Sequence, residues 1–193
     1  MSLRAVHPIS REVAEAGTIW VIPGASGGCG VRVVAERGRL MQEACDATDG
    51  TMASLIGGSR EAVEALCAEH DVDLANLNNP GQIVISGESA KVARAVEAAK
   101  ASGDFRMVVP LKVAGAYHSR LMEPARRQFE AFLEGVEIRE PQFTVLSNTT
   151  GQPVRTPEAI REALVRQVVS PVLWEDCLRQ AAASGVTRFY ECG

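Results

Sequence analysis

Apolar side chains recur along this chain with two spacings, every second residue or every third to fourth, and the switches between them mark out the elements. Residues 18–22 form an apolar run that reads as a buried strand, stopped by Pro23 and Gly24, and the polar stretch before it predicts only a short helix over 10–16. A glycine-rich segment, 24–30, then leads into a helix over 31–45 with Val33, Val34, Leu40, Met41 and Ala44 on one face. Between 51 and 113 the pattern is more regular. Strands are predicted at 51–56, 72–76, 82–86 and 106–113, and helices at 59–70, capped by Ser59, and at 89–101. Asn78, Asn79, Pro80 and Gly81 turn the chain between the two central strands. That order, β-α-β-β-α-β, is the ferredoxin-like arrangement. After a break at Gly115 the spacing alternates again, with helix 121–133, strand 143–147, helix 157–169 opened by Thr156 and Pro157, helix 173–184 and strand 187–191. The pattern predicts an α/β protein: a mostly parallel body of residues 1–50 and 114–193, interrupted by a ferredoxin-like insert at 51–113.

Composition removes classes from this picture. With 193 residues the chain is long enough to bury a sizeable core. Its net charge of −4 and the absence of any Lys/Arg-rich run exclude a general nucleic-acid binder, which must neutralise phosphates along a stripe. The five cysteines, at 29, 45, 67, 177 and 192, form no C-x-x-C pair and do not group with His7, His70 or His118. That spacing predicts a reducing compartment and no metal site. No apolar run is long enough to span a bilayer and residues 1–17 do not read as a signal peptide, so the expectation is a cytoplasmic protein with no membrane partner.

Candidate chemistry centres on His118. It sits where a strand ends at Gly115 and a helix begins near Leu121, the place where open α/β sheets bind ligands. Neutral imidazole is the usual general base near pH 7; the competing reading is a histidine that packs or caps a turn. Gly24-Ala25-Ser26-Gly27-Gly28 fits G-x-S-x-G between a strand and a helix, the form of a nucleophile elbow, and would pair Ser26 with His118 in an acyl-transfer dyad. The same glycines suit a flexible or phosphate-cradling loop. Arg37 interrupts the apolar face of its helix, where its fork could grip a carboxylate or simply point to solvent. Gln167 and Asn148 are open between site and structural roles.

Several ordered segments resemble one family. Glu36-Arg37-Gly38-Arg39-Leu40-Met41-Gln42-Glu43-Ala44, Asn76 through Gly87 with its Asn-Pro-Gly-Gln turn, Tyr117-His118-Ser119-Arg120-Leu121-Met122, Leu164-Val165-Arg166-Gln167, Ser170-Pro171-Val172-Leu173-Trp174 and Gly185 through Glu191 resemble malonyl-CoA:acyl carrier protein transacylases. The resemblance implies a hydrolase-like α/β body with a ferredoxin-like insert. It implies an acyltransferase of fatty acid biosynthesis that takes malonyl from coenzyme A onto serine and passes it to the thiol of acyl carrier protein. By the same resemblance His118 is the general base, Arg37 binds the malonyl carboxylate, and Gln167 lies on the segment supporting the histidine. The implied partners are malonyl-CoA and acyl carrier protein, with no metal and no cofactor beyond the coenzyme A thioester itself.

The departures are specific. Family members carry a Gly-Gln-Gly loop after the first strand and, well before the arginine helix, a Gly-His-Ser-Leu-Gly elbow. Here Ala25 stands in the glutamine place, the arginine helix follows almost at once, and no Gly-His-Ser-Leu-Gly exists in the sequence. The C-terminal Glu-Cys-Gly likewise stops near the family's Glu-x-Gly-Pro-Gly, so a central segment and a C-terminal portion are expected to be missing. Two readings of Ser26 follow: the Gly24–Gly28 stretch is the first loop and the nucleophile is absent, or it replaces the elbow. The alternative function is an inactive member that binds acyl carrier protein or coenzyme A thioesters without turnover. A shortened fold is also expected to self-associate through uncovered apolar surface.

Overall fold

The computed structural model describes residues 27–141 and 143–187. The helix expected at 10–16, the strand at 18–22, the loop that carries Ser26, and residues 188–191 of the last expected strand lie outside the described residues.

Helix α1 spans Gly27–Asp46 and begins four residues before the apolar pattern does. The reason is chemical: Gly27, Gly28 and Gly30 have no side chains to enter a hydrophobic periodicity, so the pattern starts at Val31 although the helical backbone does not. One face of α1, Val33, Leu40, Met41, Ala44 and Cys45, is buried against Phe129 and Leu133 of α4 (Glu123–Glu134) and Leu164 and Val165 of α5 (Pro157–Gln167). Each fully buried aliphatic or aromatic side chain there contributes roughly 1.5–3 kcal/mol. Thr156 caps α5 by accepting the Ala159 N–H at 3.2 Å, with Pro157 in the first turn.

Between these helices the chain builds β1 (Gly50–Ile56), α2 (Arg60–His70), β2 (Asp73–Asn79), β3 (Gln82–Glu88), α3 (Ser89–Ser102) and β4 (Met107–Pro110). Ser59 caps α2 through the Ala62 N–H, at 3.2 Å. The turn between β2 and β3 is shorter than expected: Asn78 and Asn79 belong to the strand, Gly81 takes φ +76°, and the Asn79 side-chain amide donates across the hairpin to Gln82 Oε1 at 2.7 Å. The amide thus closes the hairpin that residue type alone had placed in the turn. Strand β4 is also shorter, because the chain leaves the ladder at Pro110; Leu111 and Val113 instead pack as a loop over Met52, Ala75 and Val84. The opposite face of the sheet, Ala53, Leu55, Ile83 and Ile85, is covered by α2 and α3.

In the sheet, β4, β1, β3 and β2 lie side by side in that order, each antiparallel to the next. Its fifth strand, β7 (Val172–Leu173), comes from beyond the β-α-β-β-α-β stretch and pairs parallel to β2 through Asn76↔Val172 and Leu77↔Leu173. The helix expected from 173 therefore starts at Trp174, as α6 (Trp174–Ala183). A mostly parallel body is not what the described residues form: β2–β7 is their one parallel pairing. Strands β5 (Val145–Ser147) and β6 (Gln152–Val154) make an antiparallel hairpin. Strand β6 escaped the sequence pattern because it is three residues long and contains Pro153, which only an edge position tolerates. The result is an α/β fold with a mixed sheet. Among the described residues no helix is long and apolar enough to cross a membrane.

Phe129 is fully buried at the junction of α1, α4 and α5, whereas Phe143 is 55% exposed. Phe129→Ala should cost about 3–5 kcal/mol in denaturant unfolding, and Phe143→Ala less than ~1 kcal/mol; equal losses would mean that this cluster is not the core.

Candidate active site

His118 is presented by backbone geometry that needs its neighbours. It is 2% exposed and holds φ +57°, a left-handed conformation that few non-glycine residues adopt. Just upstream the loop crosses α1 so closely that a Cβ on Gly115 would lie 2.4 Å from Cys45 Sγ, which only glycine permits. Just downstream the Ser119 hydroxyl donates to Ala116 O at 2.6 Å and accepts the Leu121 N–H at 3.2 Å, starting the 3-10 turn Arg120–Met122 that runs into α4.

The imidazole meets the end of α5. His118 Nδ1 lies 3.1 Å from the backbone oxygen of Gln167 and 3.1 Å from its side-chain Nε2. Only one of these contacts can be used in a given tautomer: an Nδ1–H donates to the carbonyl, while a bare Nδ1 accepts from the amide. The carbonyl prevails, because it belongs to the last turn of a helix, lacks an intrahelical donor, and carries the negative end of the helix dipole. With the proton on Nδ1 and held by that carbonyl, Nε2 would carry the lone pair that a general base requires.

Arg37 reaches the same glutamine from α1. It is 7% exposed, and its Nη2 donates to Gln167 Oε1 at 2.5 Å. Since the guanidinium only donates, this contact also fixes which way the Gln167 amide points. Among the described residues Arg37 Nε is buried with no hydrogen-bond partner, and no carboxylate pairs with this cation. Burial pushes its pKa down to about 10, with the neighbouring Tyr117 acting weakly in the other direction. At neutral pH the group is still charged, so among the described residues this is a desolvated cation without a counter-ion, an arrangement suited to an incoming anion.

Gln167, itself fully buried, thus brings together two of the residues singled out in the sequence, Arg37 and His118; Ser26 lies outside the described residues. Asn148, also open in the sequence, is buried in the turn after β5, where its backbone oxygen accepts the Leu173 N–H at 2.7 Å. Other neighbours were not visible in the sequence. Tyr117 is half-buried beside Cys45 and Arg37, and burial pushes its hydroxyl up to about 12. His118 opens on a cleft of about 470 Å³ also lined by Asp73, Leu74, Arg120, Glu123, Val169 and Pro171. Only Arg120 and Glu123 are near His118 in the chain, so no local pattern could have found the set. Among the described residues no group of three or more His, Cys, Asp or Glu is placed to hold a metal ion.

Comparison with known proteins gives this geometry a context. The acyl transferase domain matches residues 24–192. The chain is 39% identical over 168 residues to the malonyl CoA-acyl carrier protein transacylase of Bacillus subtilis, covering 84% of this chain and 53% of that protein. It is 42% identical over 167 residues to the polyketide biosynthesis protein ThaF of Burkholderia thailandensis, covering 85% of this chain and 14% of that protein. Among solved structures, the malonyl-CoA:acyl carrier protein transacylase of Xanthomonas oryzae superposes with a TM-score of 0.82 at 36% identity, over 94% of this chain and 57% of that one. A malonyl-transacylase solved in complex with a type II polyketide acyl-carrier protein gives 0.79 at 39% identity, over 83% and 53%. The chain spans about half the length of the transacylases it matches.

Two measurements test the site as a structure. Nitrogen-15 NMR of neutral His118 should show a protonated Nδ1 and an unprotonated Nε2; the opposite pattern would show that the Gln167 amide, not its carbonyl, orients the ring. Because burial depresses the Arg37 pKa, the folded state binds fewer protons than the unfolded state only above about pH 10, and below it the cation burdens the fold in full. Relative to Arg37→Met, wild-type stability should therefore improve as pH rises through about 10. A difference that does not change with pH would show that the guanidinium is not desolvated.

Proposed function

The chain belongs to the acyl transferase domain family, and from that premise we propose that it is a malonyl-CoA:acyl carrier protein transacylase portion whose His118, Arg37 and Gln167 serve malonyl transfer. The observation that carries the reading is the buried Arg37 guanidinium, with no carboxylate against it among the described residues, sharing one glutamine with His118. A malonyl thioester has a carboxylate at one end and an acyl carbon two bonds away, so a buried cation and a base held by the same glutamine match its two ends.

In the first half-reaction a serine oxygen attacks the thioester carbonyl carbon while His118 Nε2 takes its proton. The tetrahedral intermediate expels the coenzyme A thiolate, which collects that proton and leaves a malonyl ester on the serine. In the second, the carrier-protein phosphopantetheine thiol gives its proton to His118 and attacks the ester; the serine leaves and is reprotonated. Arg37 holds the carboxylate by a two-pronged contact throughout, which sets the reacting carbon against the base. The imidazolium formed in each half is stabilised by the Gln167 carbonyl on its Nδ1–H. No step needs a metal or a further cofactor, since base, charge and thioester supply the chemistry.

Ser26 is the nucleophile in this reading if the Gly24–Gly28 stretch replaces the elbow. A second reading is favoured by the absence of Gly-His-Ser-Leu-Gly from this sequence: the chain by itself binds malonyl thioesters or acyl carrier protein without turnover. The finer architecture belongs to the same proposal. The strand order β4-β1-β3-β2 with α2 and α3 on one face supports a ferredoxin-like insert at 51–113 within a hydrolase-like body, and the buried free cysteines among the described residues support a cytoplasmic setting.

Incubation with malonyl-CoA and intact-mass measurement separates the two readings. Transfer predicts a gain of one malonyl group that disappears in Ser26→Ala; no adduct, or one that survives that change, rejects Ser26 as nucleophile. Arg37→Ala should weaken malonyl-CoA binding roughly 10- to 100-fold, the loss of a charge-assisted pair worth ~1.5–3 kcal/mol, and leave acetyl-CoA binding unchanged. Equal losses for both would remove Arg37 from carboxylate recognition.

A further inference from the structure

The strained conformation of His118 has to be held from both sides, and the downstream hold leads to one carboxylate outside the residues so far assigned. A left-handed L-residue is strained and persists only where its surroundings over-determine it. Upstream, packing does this: Gly115 lies against Cys45, and a Cβ on Gly50 would meet Ala116 Cβ at 2.7 Å. Downstream, the Ser119 hydroxyl bonds to Ala116 O and the Leu121 N–H, both within the loop, which shapes the loop without anchoring it.

We propose that Asp73 is a positioning residue for His118, a proposal that rests on His118 acting as the base. Asp73 Oδ2 accepts the backbone N–H of Arg120 at 2.8 Å. The same carboxylate receives the Arg120 side chain, with Nε at 3.1 Å from both oxygens and Nη2 at 2.7 Å from Oδ1. Arg120 Nη1 reaches Asp71 Oδ1 at 2.6 Å. One carboxylate on a strand thus grips the main chain and the side chain of the residue two places after the histidine.

The grip is rigid on the strand side. Asp73 opens β2, which lies between β3 and β7 in the sheet, and its side chain is 23% exposed. Both Asp73 and Arg120 line the cleft on which His118 opens. Arg120 already faces two carboxylates, so its charge is spent on holding the loop and is not a spare cation for a substrate anion. The backbone contact is what fixes the position of the loop, and the guanidinium fork keeps the carboxylate aimed at it.

The test uses Asp73→Ala, Asp73→Asn and Arg120→Ala in the full chain, read by malonyl transfer kinetics and by the His118 Nδ1–H resonance. Displacement of a base by even ~1 Å is worth up to about 100-fold, so Asp73→Ala should lower kcat roughly 10- to 100-fold with KM for malonyl-CoA within about twofold, and broaden or abolish the resonance. Asp73→Asn keeps an oxygen for the Arg120 N–H and should recover most of both. Arg120→Ala keeps the backbone contact and should lose roughly three- to tenfold in kcat. Wild-type kcat and resonance in folded Asp73→Ala overturn the proposal, as does a rise in KM at unchanged kcat, which would make Asp73 a binding residue. Should Asp73→Ala not fold, Arg120→Ala decides by the same criteria. If the wild-type chain transfers no malonyl, the transacylase reading fails separately and the resonance alone decides: retained in Asp73→Ala it overturns the positioning role, lost it supports it.

Discussion

The site depends on one neutral side chain placed between two groups that need a partner. Gln167 gives its side-chain oxygen to the Arg37 guanidinium and its backbone oxygen to His118 Nδ1. Neutrality is the point. A carboxylate at this position would pair with Arg37 and remove its net charge; an apolar residue would take away the acceptor that the described residues give this buried cation. An amide satisfies one donor and leaves the charge in place. Because Gln167 ends α5, the orphan carbonyl of a helix terminus becomes the acceptor that orients the imidazole.

Such a site is a burden on the fold. The depressed pKa of Arg37 corresponds to about 3 kcal/mol of unfavourable burial, and the left-handed His118 adds about 1–2 kcal/mol, a large share of the 5–15 kcal/mol typical of a domain. The cluster that offsets this load is built from the same helices: α1 supplies Leu40 and Met41 beside Arg37, α5 supplies Leu164 and Val165 beside Gln167, and Phe129 and Leu133 of α4 fill the space between them. Stabilisation and positioning are therefore one set of contacts, and a loosened core would misplace the guanidinium and the glutamine together.

The sheet supplies the remaining registration. Strand β7 follows Gln167 by five residues and pairs with β2 at Asn76↔Val172, while Asp73, at the start of β2, grips the loop after His118. The helix that orients the imidazole and the loop that carries it are thus referred to neighbouring strands of one hydrogen-bonded ladder. Short as it is, β7 makes the β-α-β-β-α-β unit and the helices around Arg37 parts of one frame.

Much of this was legible in the chain itself. Side-chain period gave the helices carrying Arg37 and Gln167, the strand and helix order from 50 to 110, and the caps at Ser59 and Thr156, because these depend on contacts within a few residues. Ordered motifs marked His118, Arg37 and Gln167 as a set. What periodicity missed was whatever lacks a long local pattern: a helical start made of glycines, a three-residue edge strand with a proline, and a two-residue strand that exists only by pairing with β2. Nor could it show that Arg37 is buried with no carboxylate against it among the described residues, that His118 is left-handed, or that Asp73 holds the loop from 47 residues away. The sequence by itself determined on which elements His118, Arg37 and Gln167 ride. Only the tertiary structure decided their charge environment and orientation, because desolvation and hydrogen-bond direction are set by groups distant in the chain that packing brings into hydrogen-bond reach.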